Sequence, residues 1–264
     1  MTYNPLISII TPNYNCSRFI AETVESVLAQ TYTNWEMIIV DDCSTDNSYE
    51  IALNYSKKDS RIKVYKNENN SGAAFSRNKA IEIAKGEYIA FLDSDDLWSL
   101  DKLEKQLRFM QENNYFFTYT NFEHIDEDST SLNVFVSGPK VVSRRMLNNS
   151  NYLGCLTVMY DKKVVGDISI SEKIKKRNDH ALWLKVIDIT KQCYLLDENL
   201  SKYRKRNNSI SNVSISKLLK HHYILYKETK NCSNIVAIYY TFLNLFYGFM
   251  RKKKYTKIGG LSCK

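Results

Sequence analysis

The sequence predicts an α/β fold, with a mostly parallel sheet flanked by helices and a helical appendage at the C-terminal end. Over the first 120 residues, short runs rich in Val, Ile and aromatic side chains alternate with amphipathic stretches of helix length. The short runs are almost wholly apolar, as strands are when helices cover both faces of a parallel sheet.

Taken in order, strands are expected over residues 6–11, 35–40, 61–65 and 87–92, and helices over 18–30, 44–56, 73–84 and 101–111. Ser44 or Thr45 is placed to cap the second helix, with Asp46 in its first turn. Gly86 marks the break between the third helix and the fourth strand. From residue 115 the pattern shifts to short strands and loops, at 115–120, 132–136 and 156–160, then to a helix over 181–189 and a strand over 193–196. The expected organisation is a body over residues 1–210, in halves 1–120 and 121–210, followed by a basic, aromatic tail over 211–264.

Charge divides the chain in the same place. The formal charge is +8, yet from Ser201 onward 14 Lys and Arg face one acid, Glu228, which is +13 and leaves −5 for residues 1–200. A basic tail on an acidic body suits an anionic partner surface. Residues 235–250 are nearly all apolar, carry six Tyr and Phe, and run into Arg251, Lys252, Lys253 and Lys254. A bilayer span needs about 20 apolar residues, so this run reads as an interfacial helix on an anionic membrane surface. Packing on the body, or on a second subunit in a homodimer, is the alternative. The aromatic residues form one apolar block and do not alternate with Arg and Lys, which disfavours nucleic acid as a partner. Six cysteines without a CxxC pair, and four histidines without zinc-like spacing, exclude a zinc site. Reduced thiols are expected, in a cytoplasmic protein peripheral to the inner face of the membrane.

Chemistry concentrates where strands end. The run Tyr88 to Leu92 stops on Asp93, Asp95 and Asp96, and open α/β sheets bind ligands just past the carboxyl ends of their strands. Carboxylates so crowded repel one another unless a cation or a network of donors offsets them. Oxygen-only ligands suit Mg²⁺ or Mn²⁺ shared with substrate phosphates. Asp95 or Asp96 capping a helix from Leu97 is the other reading. Three more stretches hold the same strand-to-helix position: Pro12-Asn13-Tyr14-Asn15, Asp41-Asp42-Cys43-Ser44, and the segment from Ser71-Gly72 to Arg77-Asn78. Together they offer a nucleotide a ring for stacking, carboxylates for base or ribose, a glycine turn and an arginine for phosphate.

On these residues the chain resembles the family 2 glycosyltransferases, enzymes of the GT-A fold, over roughly residues 5–205. The resemblance rests on Ser8 to Asn15, on Glu25, Ser26 and Gln30, and on Asp93-Ser94-Asp95 as the family's DxD motif. It continues in Asn178-Asp179 ahead of Leu182-Trp183-Leu184, and in Tyr203-Arg204 with Ser209 and Ser211 behind. It implies inverting transfer of a sugar from a nucleotide-sugar donor, of UDP type, to a hydroxyl of a glycan or lipid-linked glycan acceptor. The setting implied is bacterial surface polysaccharide, lipooligosaccharide or capsule synthesis. By resemblance Pro12, Tyr14 and Asp42 contact the base, Asn15, Gly72 and Ser94 line the donor, and Asp93 reaches ribose or phosphate. Asp95, with Asp93, holds the Mn²⁺ or Mg²⁺ that bridges the diphosphate. Arg77 or Arg204 adds a phosphate contact, and Asp179 is the general base. The Glu usual before that base is Asn178 here. The Gln-x-x-Arg-Trp motif of polymerising relatives is missing, which favours single or limited addition.

Without the family match, Asp42 and Asp179 read as helix caps, Trp183 as core and Arg77-Asn78 as a local helix pair. His180 adjoins the expected base and is placed nearer to substrate than to a metal. An NAD-dependent oxidoreductase would need glycines after the first strand, which Pro12 to Asn15 lack. A non-catalytic scaffold of a membrane glycan-assembly complex is the remaining alternative, and the intact acidic set argues against it.

Overall fold

The structure, a computed structural model, describes residues 4–206 and 215–259. Ser209, Ser211 and residues 260–264 lie outside the described residues. The chain runs β1 (Ile7–Asn13), α1 (Ile20–Leu28), β2 (Trp35–Asp41), α2 (Ser48–Lys58), β3 (Ile62–Lys66), α3 (Ala73–Ile83) and β4 (Tyr88–Phe91). There follow β5 (Leu97–Trp98), α4 (Lys102–Asn113), β6 (Phe117–Ile125), β7 (Ser131–Val136), β8 (Val141–Ser143) and α5 (Arg144–Asn149). The last third holds β9 (Met159–Asp161), α6 (Lys162–Val165), α7 (Asn178–Thr190), β10 (Gln192–Arg204), α8 (Ile215–Lys230), α9 (Asn234–Tyr255) and β11 (Thr256–Ile258).

The described strands join in one sheet with the path β11-β7-β6-β9-β4-β1-β2-β3. β3, β2, β1 and β4 are parallel, and β9 enters antiparallel between β4 and β6. β10 lies off this path, parallel to β6 and antiparallel to β5 and β8. Alternate residues of the apolar strands feed opposite faces. Ile10, Ile38, Val40 and Phe91 pack with Trp183 and Leu182, while Ile9, Met37, Ile39 and Ala90 pack with Val24 and Leu107. Two helical layers therefore cover the sheet, as the unbroken hydrophobic runs require.

Three local expectations are corrected. No helix starts at Leu97, where β5 pairs with Leu97 opposite Lys202, so Asp95 and Asp96 cap nothing. Helix α2 begins later than expected, and Asp46 Oδ1 accepts from Ser48 N at 3.0 Å, while Ser44 Oγ is turned to Asp41. β10 runs far beyond the apolar stretch 193–196, because the polar segment Asp197–Asn199 only shifts the register between Leu196 and Ser201. Gly86 is required by close approach: a Cβ there would stand 2.5 Å from the Ser8 backbone nitrogen.

The C-terminal helices are part of the body's core. Leu225, Tyr226 and Ala237 are buried in the same cluster as Trp183. Tyr226 Oη donates to Asn148 O at 2.6 Å and accepts from Asn244 Nδ2 at 2.8 Å, tying α8 to α5 and α9. β11, unforeseen in the sequence, pairs with β7 and pins the far end of α9 to the sheet edge. The outer face of α9 is left open, with Phe242 60%, Phe246 61% and Phe249 69% exposed. No described helix is long and apolar enough to cross a membrane.

Candidate active site

The carboxyl ends of β1, β2 and β4 bring the first three predicted stretches to one edge. Asn15 takes a left-handed conformation, φ 48°, and joins the first loop to the second. Its N–H donates to Ser44 Oγ at 3.0 Å, and its Oδ1 accepts from Thr45 N at 2.8 Å. Pro12 is half-buried beneath, and the Tyr14 ring is 46% exposed, open to stacking. Asp42 caps no helix. It is buried and holds the loop before α3: Oδ1 accepts from Asn67 Nδ2 at 2.9 Å and Ser71 N at 2.8 Å, and Oδ2 from Gly72 N at 2.7 Å. Gly72 sits at φ +92°, a conformation that side chains disfavour, at the mouth of that loop.

Arg77 projects from α3 and is buried. One guanidinium nitrogen bonds Asp93 Oδ1 and the other Asn178 Oδ1, so a single side chain spans the acidic loop and the start of α7. Burial pulls its pKa down, but the Asp93 charge, then Cys155 and Asp179, more than reverse the shift. The neighbouring Asn78 does not pair with it. Asn78 instead exchanges two hydrogen bonds with the Ile170 backbone, at 2.8 and 2.7 Å.

Within the acidic loop, Ser94 is buried against Cys16. Asp95 Oδ2 pairs with Arg206 Nε at 2.9 Å. Asp96 Oδ1 accepts from Arg204 N at 2.9 Å, and its Oδ2 is buried without a partner. Burial raises the pKa of Asp95, against Arg206; it raises Asp96 further, with the Asp95 and Asp93 charges adding. Asp93 is paired with Arg77 and Asp95 with Arg206, so the uncompensated oxygen is Asp96 Oδ2; crowded, desolvated carboxylates of this kind are what a divalent cation relieves. Among the described residues, no group of three His, Cys, Asp or Glu is set to hold a metal unaided. The loop therefore fits an ion that draws its remaining ligands from substrate phosphates and water.

Arg204 is placed differently from the expectation. It is 1% exposed, and its donors go to Asp95 O, Asp126 O, Glu127 O, Ser129 Oγ and Glu22 Oε2. A guanidinium so committed and so buried braces the acidic loop. Arg206, two residues on and half-buried, is the arginine that faces Asp95.

Asp179 opens α7, where the helix dipole favours a carboxylate. It is partly exposed, and its Oδ2 accepts from Asn151 Nδ2 at 3.1 Å. His180 points the other way. It is fully buried, its Nε2 lies 2.7 Å from Leu147 O, and burial pushes its pKa down to about 3, so it touches neither substrate nor metal. Trp183 is core, its ring 4.9 Å from that of Phe91. Asn151 and Arg251, which also border Asp179, belong to no motif, and only the folded chain reveals them.

The strand ends, the acidic loop and the start of α7, joined through Arg77, make up the candidate site at one edge of the α/β sheet. Residues 8–161 match the Glycosyl transferase family 2, and the chain belongs to that family of enzymes. It is 45% identical over 226 residues to TuaG of Bacillus subtilis, named as a teichuronic acid biosynthesis glycosyltransferase, covering 86% of this chain and 89% of TuaG. It is 38% identical over 244 residues to WfgD of Escherichia coli, covering 89% of this chain and 90% of WfgD. The latter is named as a UDP-Glc:alpha-D-GlcNAc-diphosphoundecaprenol beta-1,3-glucosyltransferase. In fold the chain is similar to S. aureus TarS solved with UDP-GlcNAc, with a TM-score of 0.71 at 24% identity over 92% of this chain and 73% of that one. It is also similar to the Pyrobaculum calidifontis mannosyltransferase PcManGT solved with GDP-Man and Mn²⁺, with a TM-score of 0.63 at 13% identity over 94% and 76%.

Proposed function

We propose that this glycosyltransferase moves a sugar, with inversion, from a UDP-sugar to a hydroxyl of a lipid-linked glycan, in bacterial surface polysaccharide synthesis at the inner face of the membrane. The observation that supports this reading is Arg77, which joins Asp93 to Asn178 and so ties the acidic loop to the start of α7, next to Asp179. The donor lies along Tyr14, Asn15, Asp42 and Gly72, with its diphosphate at Asp93 to Asp95. Asp93 and Asp95 would hold Mn²⁺ or Mg²⁺, which supplies a Lewis acid to the departing diphosphate. Arg206, already beside Asp95 and more exposed than Arg204, gives the phosphate contact.

On the opposite side Asp179 takes the proton of the acceptor hydroxyl as that oxygen attacks the anomeric carbon, and UDP leaves in line. General-base help of this kind is worth about 10²–10⁴-fold. Asn151 orients the carboxylate through its bond to Oδ2. The displacement converts an α-linked donor into a β-linked product. WfgD's named donor and lipid diphosphate acceptor, the UDP-GlcNAc bound by TarS and the Mn²⁺ bound by PcManGT support the substrate and metal classes. The open aromatic face of α9 and the lysines that follow support a membrane-surface role for the tail.

Asp179→Asn should bind UDP as the parent does and lose transfer by about 10²-fold or more; transfer at the parental rate removes Asp179 as base. Asp95→Ala should abolish turnover of donor that depends on added Mn²⁺. Retention of that dependence takes the cation away from this loop.

A further inference from the structure

We propose that Arg251 of α9, with Arg177 beside it, binds the diphosphate of a lipid-linked acceptor and thereby sets the acceptor sugar against Asp179. This inference rests on the transferase reading above and adds a second phosphate site, separate from the acidic loop. Arg251 donates through Nη1 to Asn151 O, and Asn151 Nδ2 donates to Asp179 Oδ2 at 3.1 Å. One residue thus separates the tail's arginine from the candidate base.

The charge around it is unbalanced. Arg177 at the start of α7 and Arg251 lie in each other's field; Lys252 of α9 faces Lys205 after β10, which also feels Asp96 of the acidic loop. None of these four pairs with a carboxylate among the described residues, and Asp179 is the acid that Arg251 feels. Burial and Arg177 both lower the Arg251 pKa, with Tyr152 and Asp179 opposing. Arg251 is half-buried and Arg177 exposed, and an anion would offset the two; a planar guanidinium matches a diphosphate bidentately.

The place is also fixed. Ser137 N donates to Tyr255 O at 2.9 Å, the Tyr152 and Tyr255 rings meet at 6.2 Å, and β11 pairs with β7, so the last turns of α9 cannot drift. The exposed stripe of Phe249, Phe246 and Phe242 lies on the outer face of the same helix, about half a turn round from Arg251. A ligand with its diphosphate at Arg251 has the Asp179 carboxylate one residue away for its sugar.

The test is calorimetric titration of the full chain with farnesyl diphosphate, a lipid diphosphate without a sugar, alongside farnesol, inorganic pyrophosphate and UDP. The parent should bind farnesyl diphosphate more tightly than farnesol or pyrophosphate, and saturating UDP should not displace it. Arg251→Gln should weaken that binding about tenfold or more while UDP affinity holds, and Arg251→Lys should restore part of it. Should Arg251→Gln lose UDP binding as well, Arg177→Gln carries the comparison. The proposal is overturned if the parent does not bind farnesyl diphosphate, if UDP displaces it, or if the arginine variants bind it like the parent. A parent that fails to bind UDP sinks the donor assignment instead.

Discussion

Arg77 touches both halves of the cleft, and its burial makes the contact costly to break. Arg77→Met should destabilise the fold by about 3 kcal/mol, since it leaves Asp93 and Asn178 without their shared partner. The Asp93 side chain keeps some solvent, which holds the figure at the low end for a broken buried pair. Urea denaturation reads the loss; a cost near zero would mean that the acidic loop stands without this bridge. The sequence put Asp93 and Asp95 just past a strand and Asp179 at a helix start, as the fold has them, because strand ends and the residues before an apolar helix fix where a backbone position falls. It could not tell Arg204 from Arg206, since direction at the end of β10 depends on which acceptors α1 and the Asp126–Ser129 turn bring up.

At the scale of elements, α7 and α8 meet over two buried histidines. Burial pushes His180 and His222 each down to about 3, so both are neutral in the folded protein. Unfolded, they take up protons near pH 6.5. Their contribution is therefore complete above 6.5 and is lost as pH falls from there towards 3, by up to about 1.4 kcal/mol per pH unit for each. The raised acids of the loop act with opposite sign, so His222→Phe is the proper reference. The parent's urea midpoint should fall more steeply than the variant's between pH 7 and 5; parallel slopes would show that His222 does not report on this interface. These contacts left no trace in the sequence. The four parallel strands and their helices did, because apolar runs of that length have one stable home between helical layers. β11 has three residues and no apolar pattern, and only its partner β7 makes it a strand.

For the molecule as a whole, the acidic body and basic tail visible in the composition become one solid. The tail's helices share the core under Trp183, yet one side of α9 keeps its aromatic residues in water. Phe242→Glu combined with Phe246→Glu should cut co-sedimentation with phosphatidylglycerol vesicles about tenfold and leave UDP binding intact. Equal sedimentation of parent and variant would assign that face elsewhere. The acceptor-side half was the least legible stretch, because its short strands and turns are specified by long-range pairing of β6 with β10 and β9 and not by any local period.

The clamp at the end of α9 has a geometric consequence. With Tyr255 bonded to Ser137 and Arg251 to Asn151, no hinge lies between the aromatic face and the carboxylate of Asp179. The altitude of that carboxylate over whatever plane the phenylalanines rest on is then a constant of the fold, as in a ruler. On the lipid-linked acceptor proposed above, sugars next to the anchor would come within its reach, and those far out on a long chain would pass above it.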